Sequence, residues 1–206
     1  MNQPSQKNIL LIGAGGHGLV IAEIITAAGK TVVGFMDQKK TTSQHGGYEV
    51  YDFNDAHTQQ EGLEYVISIG NNLTRKKISE SHLFSYGNAI HPSSIISPSA
   101  DIGKGTVVMA GVCVNAAARI GVHAILNTGC IIEHECVLED YVHISPRVAL
   151  AGNVHIGEGT HVGIGAVILP GIHIGKWCTI GAGAVVTQNV PDATTVVGVP
   201  ARPILK

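Results

Sequence analysis

Residues 125–172 read ILNTGCIIEHECVLEDYVHISPRVALAGNVHIGEGTHVGIGAVILPGI. Leu126, Ile132, Leu138, Ile144, Leu150, Ile156, Val162 and Ile168 stand six residues apart in it. The register runs without a gap from Ile90 to Val186, seventeen positions in all. A period of six fits neither a 3.6-residue helix nor an isolated hairpin. It reads as a hexapeptide-repeat parallel β-helix, each hexad giving one short strand and one corner. Three strands closing a triangle use 18 residues, so seventeen hexads predict between five and six coils. The slot four residues after each aliphatic, as at Thr106, Ala124, Cys130, Cys136, Val154, Cys178 and Ala184, is small or β-branched. It shares the inward face with the next aliphatic, so one large and one small side chain fill each hexad. Gly103, Gly121, Gly157, Gly163, Gly175 and Gly181 directly follow an inward aliphatic and are expected at sharp corners. From Thr194 the period is lost, and the tail with Pro200 and Pro203 is expected to leave the coil and cap or cross it.

Residues 1–87 lack that period and are expected to form a separate small α/β, Rossmann-like domain, with the β-helix over 88–206. Strands are expected at Asn8–Ile12, Thr31–Met36 and Tyr65–Ile69, and helices at Leu19–Ala28 and Leu73–Phe84. Residues 38–47 read as a polar loop. Alternating strands and helices imply a small parallel sheet.

Composition narrows the function. The chain is 45% hydrophobic and 14% charged, a globular balance. A net charge of −2 and no basic stripe argue against nucleic acid as a main partner. No apolar run reaches the roughly 18 residues of a membrane span, and no signal peptide is read, so a cytoplasmic protein is expected. Cys113, Cys130, Cys136 and Cys178 form no CxxC pair, and three share the small inward slot, which suits buried thiols.

Two places break the pattern. Gly13-x-Gly15-x-x-Gly18 follows a strand and opens a helix, and Asp37 ends the next strand nineteen residues on. That context is the one a dinucleotide fingerprint requires, with helix N–H groups facing phosphate and an acid near ribose. The domain is about half a full dinucleotide fold, which favours a nucleotide over a whole NAD. His17, inside the turn, is placed to donate to a phosphate or a sugar hydroxyl. In the repeat, His134-Glu135 occupies a corner where most hexads carry Gly or a small residue. Residues 18 apart stack, so His134 lies between Ala116 and Gly152, with room for a ligand. Imidazole is a natural general base near neutral pH, and a carboxylate beside it at a corner can orient it. A plain surface histidine is the alternative. His143 stacks on His161 and His155 on His173, read as ladders. No H-x4-H, HxxxH or HxH pair is present, and no metal is expected.

The segments GAGGHGLV (13–20), SIGNNLTRKKI (68–78), AIHPSSIISPSA (89–100), ILNTGCIIEHECVLED (125–140), LAGNVHIGEGTHVGIGAVILPGI (150–172) and VVGVPARP (196–203) carry a resemblance that runs nearly end to end. The chain resembles the bacterial left-handed β-helix acyltransferases that acetylate nucleotide-activated amino sugars. The branch it is most similar to is the UDP-4-amino-4,6-dideoxy-sugar N-acetyltransferases. Perosamine N-acetyltransferases and sialic-acid O-acetyltransferases share much of the pattern. The resemblance implies a homotrimer with acetyl-CoA as co-substrate between neighbouring prisms. It implies His134 as general base with Glu135 as its partner, and His143 at the thioester end. It implies Gly152, Asn127 and Ala182 against acetyl-CoA. It further implies Gly13, Gly15, His17, Asp37, Gly70 and Asn71 around the nucleotide sugar. The expected reaction is N-acetylation of the 4-amino group of a nucleotide-linked amino-dideoxy sugar, with UDP the expected nucleotide, in glycan biosynthesis. Gln38 stands where relatives often carry a second acid, which leaves the base open. O-acetylation of a sialic-type acid is the second reading, and a non-catalytic β-helix scaffold the remote one.

Overall fold

The computed structural model describes residues 8–38, 42–55, 58 and 62–204. The first part is a five-stranded sheet. Strands β1 (Asn8–Ile12), β2 (Thr31–Met36), β3 (Gln44–His45), β4 (Tyr48–Tyr51) and β5 (Leu63–Ile67) lie in the order β3-β4-β2-β1-β5. All neighbours are parallel except β3 against β4. Helices α1 (Gly16–Ala27) and α2 (Asn72–Ser81) follow β1 and β5. Ile9, Leu10, Leu11 and Ile12 are all buried, as expected of a central parallel strand with both faces covered.

Several boundaries differ from the sequence reading. Strand β5 runs Leu63–Ile67, two residues earlier than the expected Tyr65–Ile69, in register with Asn8–Ile12 of β1. Helix α1 begins three residues early, because Gly16-His17-Gly18 already forms its first turn. Part of the polar loop at 38–47 is strand β3, which pairs with YEVY of β4, a strand the sequence reading missed. Helix α2 stops at Ser81 because His82 is extended.

The hexads from Ala89–Ile90 to Val185–Val186 form seventeen two-residue strands. They build the three faces of a triangular parallel β-helix. The first face carries His143–Ile144 and His161–Val162, the second Ile131–Ile132 and Ala149–Leu150, the third Val137–Leu138 and His155–Ile156. Each residue pairs with the one 18 positions on, as at Ile132↔Leu150 and His143↔His161. From Val108 upward the six-residue series is buried without exception, and the small slot is buried almost throughout. The tail first adds one more parallel strand, Thr195–Val197 on Thr179–Ile180, before turning back as antiparallel Arg202–Pro203.

The corner glycines need a different explanation. From Ile102 to Ile180 the left-handed backbone sits three residues after each inward aliphatic, at Gly105, Gly111 and Gly129 and also at Ala117, Glu135, Tyr141 and Asn153. Gly103 and Gly157 have no such φ; a Cβ on them would meet the backbone of the next coil at 2.5–2.6 Å. Coil stacking, not conformational freedom, demands them. No helix among the described residues is long and apolar enough to cross a membrane.

Candidate active site

The carboxyl ends of β1 and β2 and the loop after β5 open a cavity of about 310 Å³ against α2. Ile12, Gly13, Asp37, Gln38, Phe53, Lys77 and His82 are among its walls. This is where an open parallel sheet binds ligands. Gly13 is required by its φ of 112°, and Gly18 because a Cβ would meet the Gly13 carbonyl at 2.8 Å. A Cβ at Gly15 or Gly16 would meet nothing within 4 Å, so backbone at the head of α1 is open to a ligand. No side chain caps that helix end, which leaves N–H groups for an anion. Asp37 Oδ2 accepts from the Ala14 N–H at 2.9 Å, so the acid shapes the turn as well as facing the cavity.

His17 projects from the first turn of α1 toward the β-helix. Its ring centre is 6.4 Å from that of His143, and its buried Nε2 has no hydrogen-bond partner. A buried nitrogen without a protein partner leaves Nε2 open to a ligand or a water. His143 stacks on His161 at 4.8 Å, which bears out the ladder. Asn127 Oδ1 accepts from the Thr128 N–H, so its Nδ2 donates to His143 Nε2 at 3.3 Å. The other side of the His143 ring faces the Gly70 carbonyl. Burial, helped by His161, Arg75 and His17, holds the His143 imidazole down to about 3, and His17 is lowered by burial and then Arg75. The His143 ring is neutral across the physiological range, and burial biases His17 the same way. Gly70 and Asn71 line a second cleft of about 390 Å³ with His161 and Trp177.

His134 and Glu135 occupy the corner between the second and third faces. Glu135 is in the left-handed conformation (φ 61°), which brings two adjacent side chains to one side. His134 Nδ1 and Glu135 Oε2 are 3.1 Å apart. Nδ1–H then donates to the carboxylate and Nε2 keeps a free lone pair, the arrangement of an oriented base. The His134 side chain is 58% exposed. It is not in open space: a Cβ on Gly152 would lie 2.6 Å from His134 Nε2, so the ring rests on that glycine.

Within one chain the expected residues fall into two groups. His134, Glu135 and Gly152 share the corner between the second and third faces. His143 is on the first face, and Asn127 and Ala182 are at the corner between first and second, on the far side of the second face. The nucleotide-side residues His17 and Gly70 join this latter group.

Sequence reasoning named Gly70 and Asn71 but missed the polar side chains of the helix they lead into. Asn72, Arg75, Lys76 and Ser79 form one helical stripe of α2 facing the β-helix edge. The stripe is polar, and polar residues at helical spacing read as solvent-facing. His123 was also missed. It is buried between Tyr86 (4.5 Å) and Tyr141 (5.7 Å), and desolvation, then Arg75, drives it down to about 4. The unfolded chain binds that proton near the ordinary 6.5, so it binds more protons than the fold between pH 6.5 and 4. Stability therefore falls as acid is added through that window, by at most about 1.4 kcal/mol per pH unit from this group. Thermal unfolding from pH 7 to 4.5 is expected to show this slope. His123→Asn, a replacement that tolerates a left-handed φ, is expected to remove this share of the slope and leave the share of His143, which burial lowers over the same window; an equal slope in both proteins contradicts the assignment.

Residues 8–82 match the PglD N-terminal domain and residues 153–188 the bacterial transferase hexapeptide repeats. A perosamine N-acetyltransferase variant from Caulobacter crescentus, in complex with CoA and GDP-perosamine, has a TM-score of 0.92 and 39% identity over 97% of each chain. The acetyltransferase domain of PglB from Neisseria gonorrhoeae FA1090, in complex with acetyl coenzyme A, has a TM-score of 0.92 and 37% identity, covering 97% of this chain and 100% of that one. UDP-N-acetylbacillosamine N-acetyltransferase of Bacillus subtilis (strain 168) is 42% identical over 99 residues, 44% of this chain and 46% of that enzyme, so the alignment spans about half its length. With matching domains at both ends and relatives of this identity along nearly its whole length, the chain belongs to the left-handed β-helix N-acetyltransferases that join a PglD N-terminal domain to hexapeptide repeats.

Proposed function

We propose that the protein transfers the acetyl group of acetyl-CoA to the 4-amino group of a nucleotide-linked amino-dideoxy sugar, with UDP the expected nucleotide. The observation that carries this reading is the pairing of a nucleotide-type cavity with the oriented His134–Glu135 dyad, in a family whose perosamine N-acetyltransferase is solved in complex with CoA and GDP-perosamine. Gly13, Gly15, Asp37 and Gly70-Asn71 would hold the nucleotide sugar, and His17 offers its unpartnered Nε2 to it. Gly152, Asn127 and Ala182 would line acetyl-CoA, with His143 near the thioester. When bound, acetyl-CoA supplies the activated acetyl carbonyl. His134 Nε2 takes a proton from the attacking amine as the amide bond forms. Glu135 steadies the resulting imidazolium, which returns the proton to the leaving thiolate. The Cys130, Cys136 and Cys178 thiols are pushed up by burial, which favours direct transfer over a cysteine acyl intermediate. Product analysis tests this: amide-linked acetyl on the sugar supports it, and an acetyl ester refutes it in favour of O-transfer.

A homotrimer is part of the proposal. The second face is apolar outward, with Ile95 (71% exposed), Ile131 and Val167 along it. It lies between the two groups of site residues. Copies packed on this face in rotation would bring the His134 corner of one to the His143 side of the next. A head-to-tail contact of this kind can close into a ring, and the resemblance implies three copies. The unpaired cysteines fit a reducing compartment, so the cytoplasm is the proposed location.

Gly152 tests the base directly. Gly152→Ala places a methyl where the His134 ring now rests. Turnover is expected to fall about 10–100-fold, since misplacement by about 1 Å costs that much. A raised KM for acetyl-CoA with unchanged kcat would assign Gly152 to the cofactor alone.

A further inference from the structure

Arg75 is fully buried, and no described carboxylate forms an ion pair with it. Its donors go instead to carbonyls of both domains. Nε donates to His123 O (2.7 Å) and Nη2 to Tyr141 O (2.8 Å) and Asn72 Oδ1 (3.0 Å). Nη1 donates to Ile69 O (3.1 Å) and Gly70 O (3.3 Å). His123 and Tyr141 are corner residues of successive coils, both left-handed in φ. The next corner up is Gly159, whose carbonyl accepts from Asn72 Nδ2 at 2.9 Å. The coil-to-coil ladder at this edge uses the neighbouring carbonyls, Lys104, Val122 and Asp140, so the three corner carbonyls are left for α2. The spacings agree: three helical residues rise about 4.5 Å, and stacked strands lie about 4.8 Å apart.

This matters because the proposed site is split across that junction. The Gly70 carbonyl held by Arg75 also faces the His143 imidazole. Only a planar guanidinium reaches carbonyls in several directions at once; a lysine ammonium cannot reproduce that fork.

We propose that Arg75 is a positioning residue for the acetyl transfer: it sets the register of the nucleotide-binding domain on the β-helix edge and fixes the Gly70–His143 contact on which the acceptor sugar is aligned. The inference rests on the transferase reading above. It adds a residue that lines neither the nucleotide cavity nor the His134 corner but holds the Ile69 and Gly70 carbonyls beside that cavity.

The test compares full-length Arg75→Lys, Arg75→Met and Asn72→Ala with wild type. For Arg75→Lys and Arg75→Met, kcat is expected to fall about 30–300-fold, and for Asn72→Ala about 5–10-fold. The KM for acetyl-CoA is expected to stay within about threefold, and the Kd for UDP to rise far less than kcat falls, because Arg75 supports the backbone of the nucleotide side without lining it. An unchanged kcat in a folded Arg75 variant overturns the proposal. So does a loss that only tracks the folded fraction or UDP affinity. If the Arg75 variants do not fold, an unchanged kcat in Asn72→Ala overturns it. A second readout is independent of activity: long-range 1H–15N imidazole spectra are expected to give one His143 tautomer in wild type and a mixture in Arg75→Lys. An unchanged spectrum overturns the positioning role even if wild type proves inactive on every nucleotide amino sugar, a result that would refute the transferase reading instead.

Discussion

His134→Ala is expected to lower kcat by about 10²–10⁴, the usual range for losing a general base, while acetyl-CoA binding stays within a few-fold. The reason is chemical. An amine must lose a proton as it becomes an amide, and His134 is the imidazole held by a carboxylate, at 3.1 Å, with its second nitrogen, beside Gly152, left to accept a proton. Glu135→Gln keeps the shape but replaces the charge that steadies the imidazolium, so a smaller loss is expected. The ring itself sits on Gly152 and contributes little to the core, so the Ala variant is expected to unfold at nearly the parent temperature. Steady-state kinetics with calorimetric binding of CoA check this. An unchanged rate would remove His134 from the mechanism.

Mixing two inactive variants is expected to restore activity. In one chain His134 and His143 lie on opposite sides of the apolar second face. If each site takes its base from one copy and its His17–His143 side from the next, His134→Ala and His17→Ala chains complement each other. Random trimers from an equal mixture then carry about a quarter of their sites intact. Refolding or co-expressing the two with distinct tags, and assaying the doubly tagged assembly, measures this. Each doubly tagged trimer then has one of its three sites intact, so activity of about a third of wild type supports sites shared between copies. An inactive mixed assembly would place each site within one chain.

Most of the β-helix was legible because one side chain in six must fill a narrow core, and seventeen repetitions leave little ambiguity. Even the His134–Glu135 pairing could be anticipated, since a corner frees adjacent residues from strand alternation. The glycines at 103 and 157 were legible as important but for the wrong reason. Close coil contact and positive φ leave the same residue in the sequence. Strand β4 was missed because YEVY is short and lies among polar residues. Arg75 was illegible: its partners are backbone carbonyls 48 and 66 residues away, and a carbonyl has no letter in a sequence. The division of the site between two corners was also hidden, because it depends on which face each hexad occupies.

The most direct measurement is free-thiol release from acetyl-CoA with UDP-, dTDP- and GDP-linked 4-amino-6-deoxy sugars and with free sialic acid as the O-acceptor. Rapid release with a nucleotide-linked amino sugar, matched by amide product and absent with sialic acid, is the predicted result. Release with sialic acid alone, or with none of the four, would contradict the account.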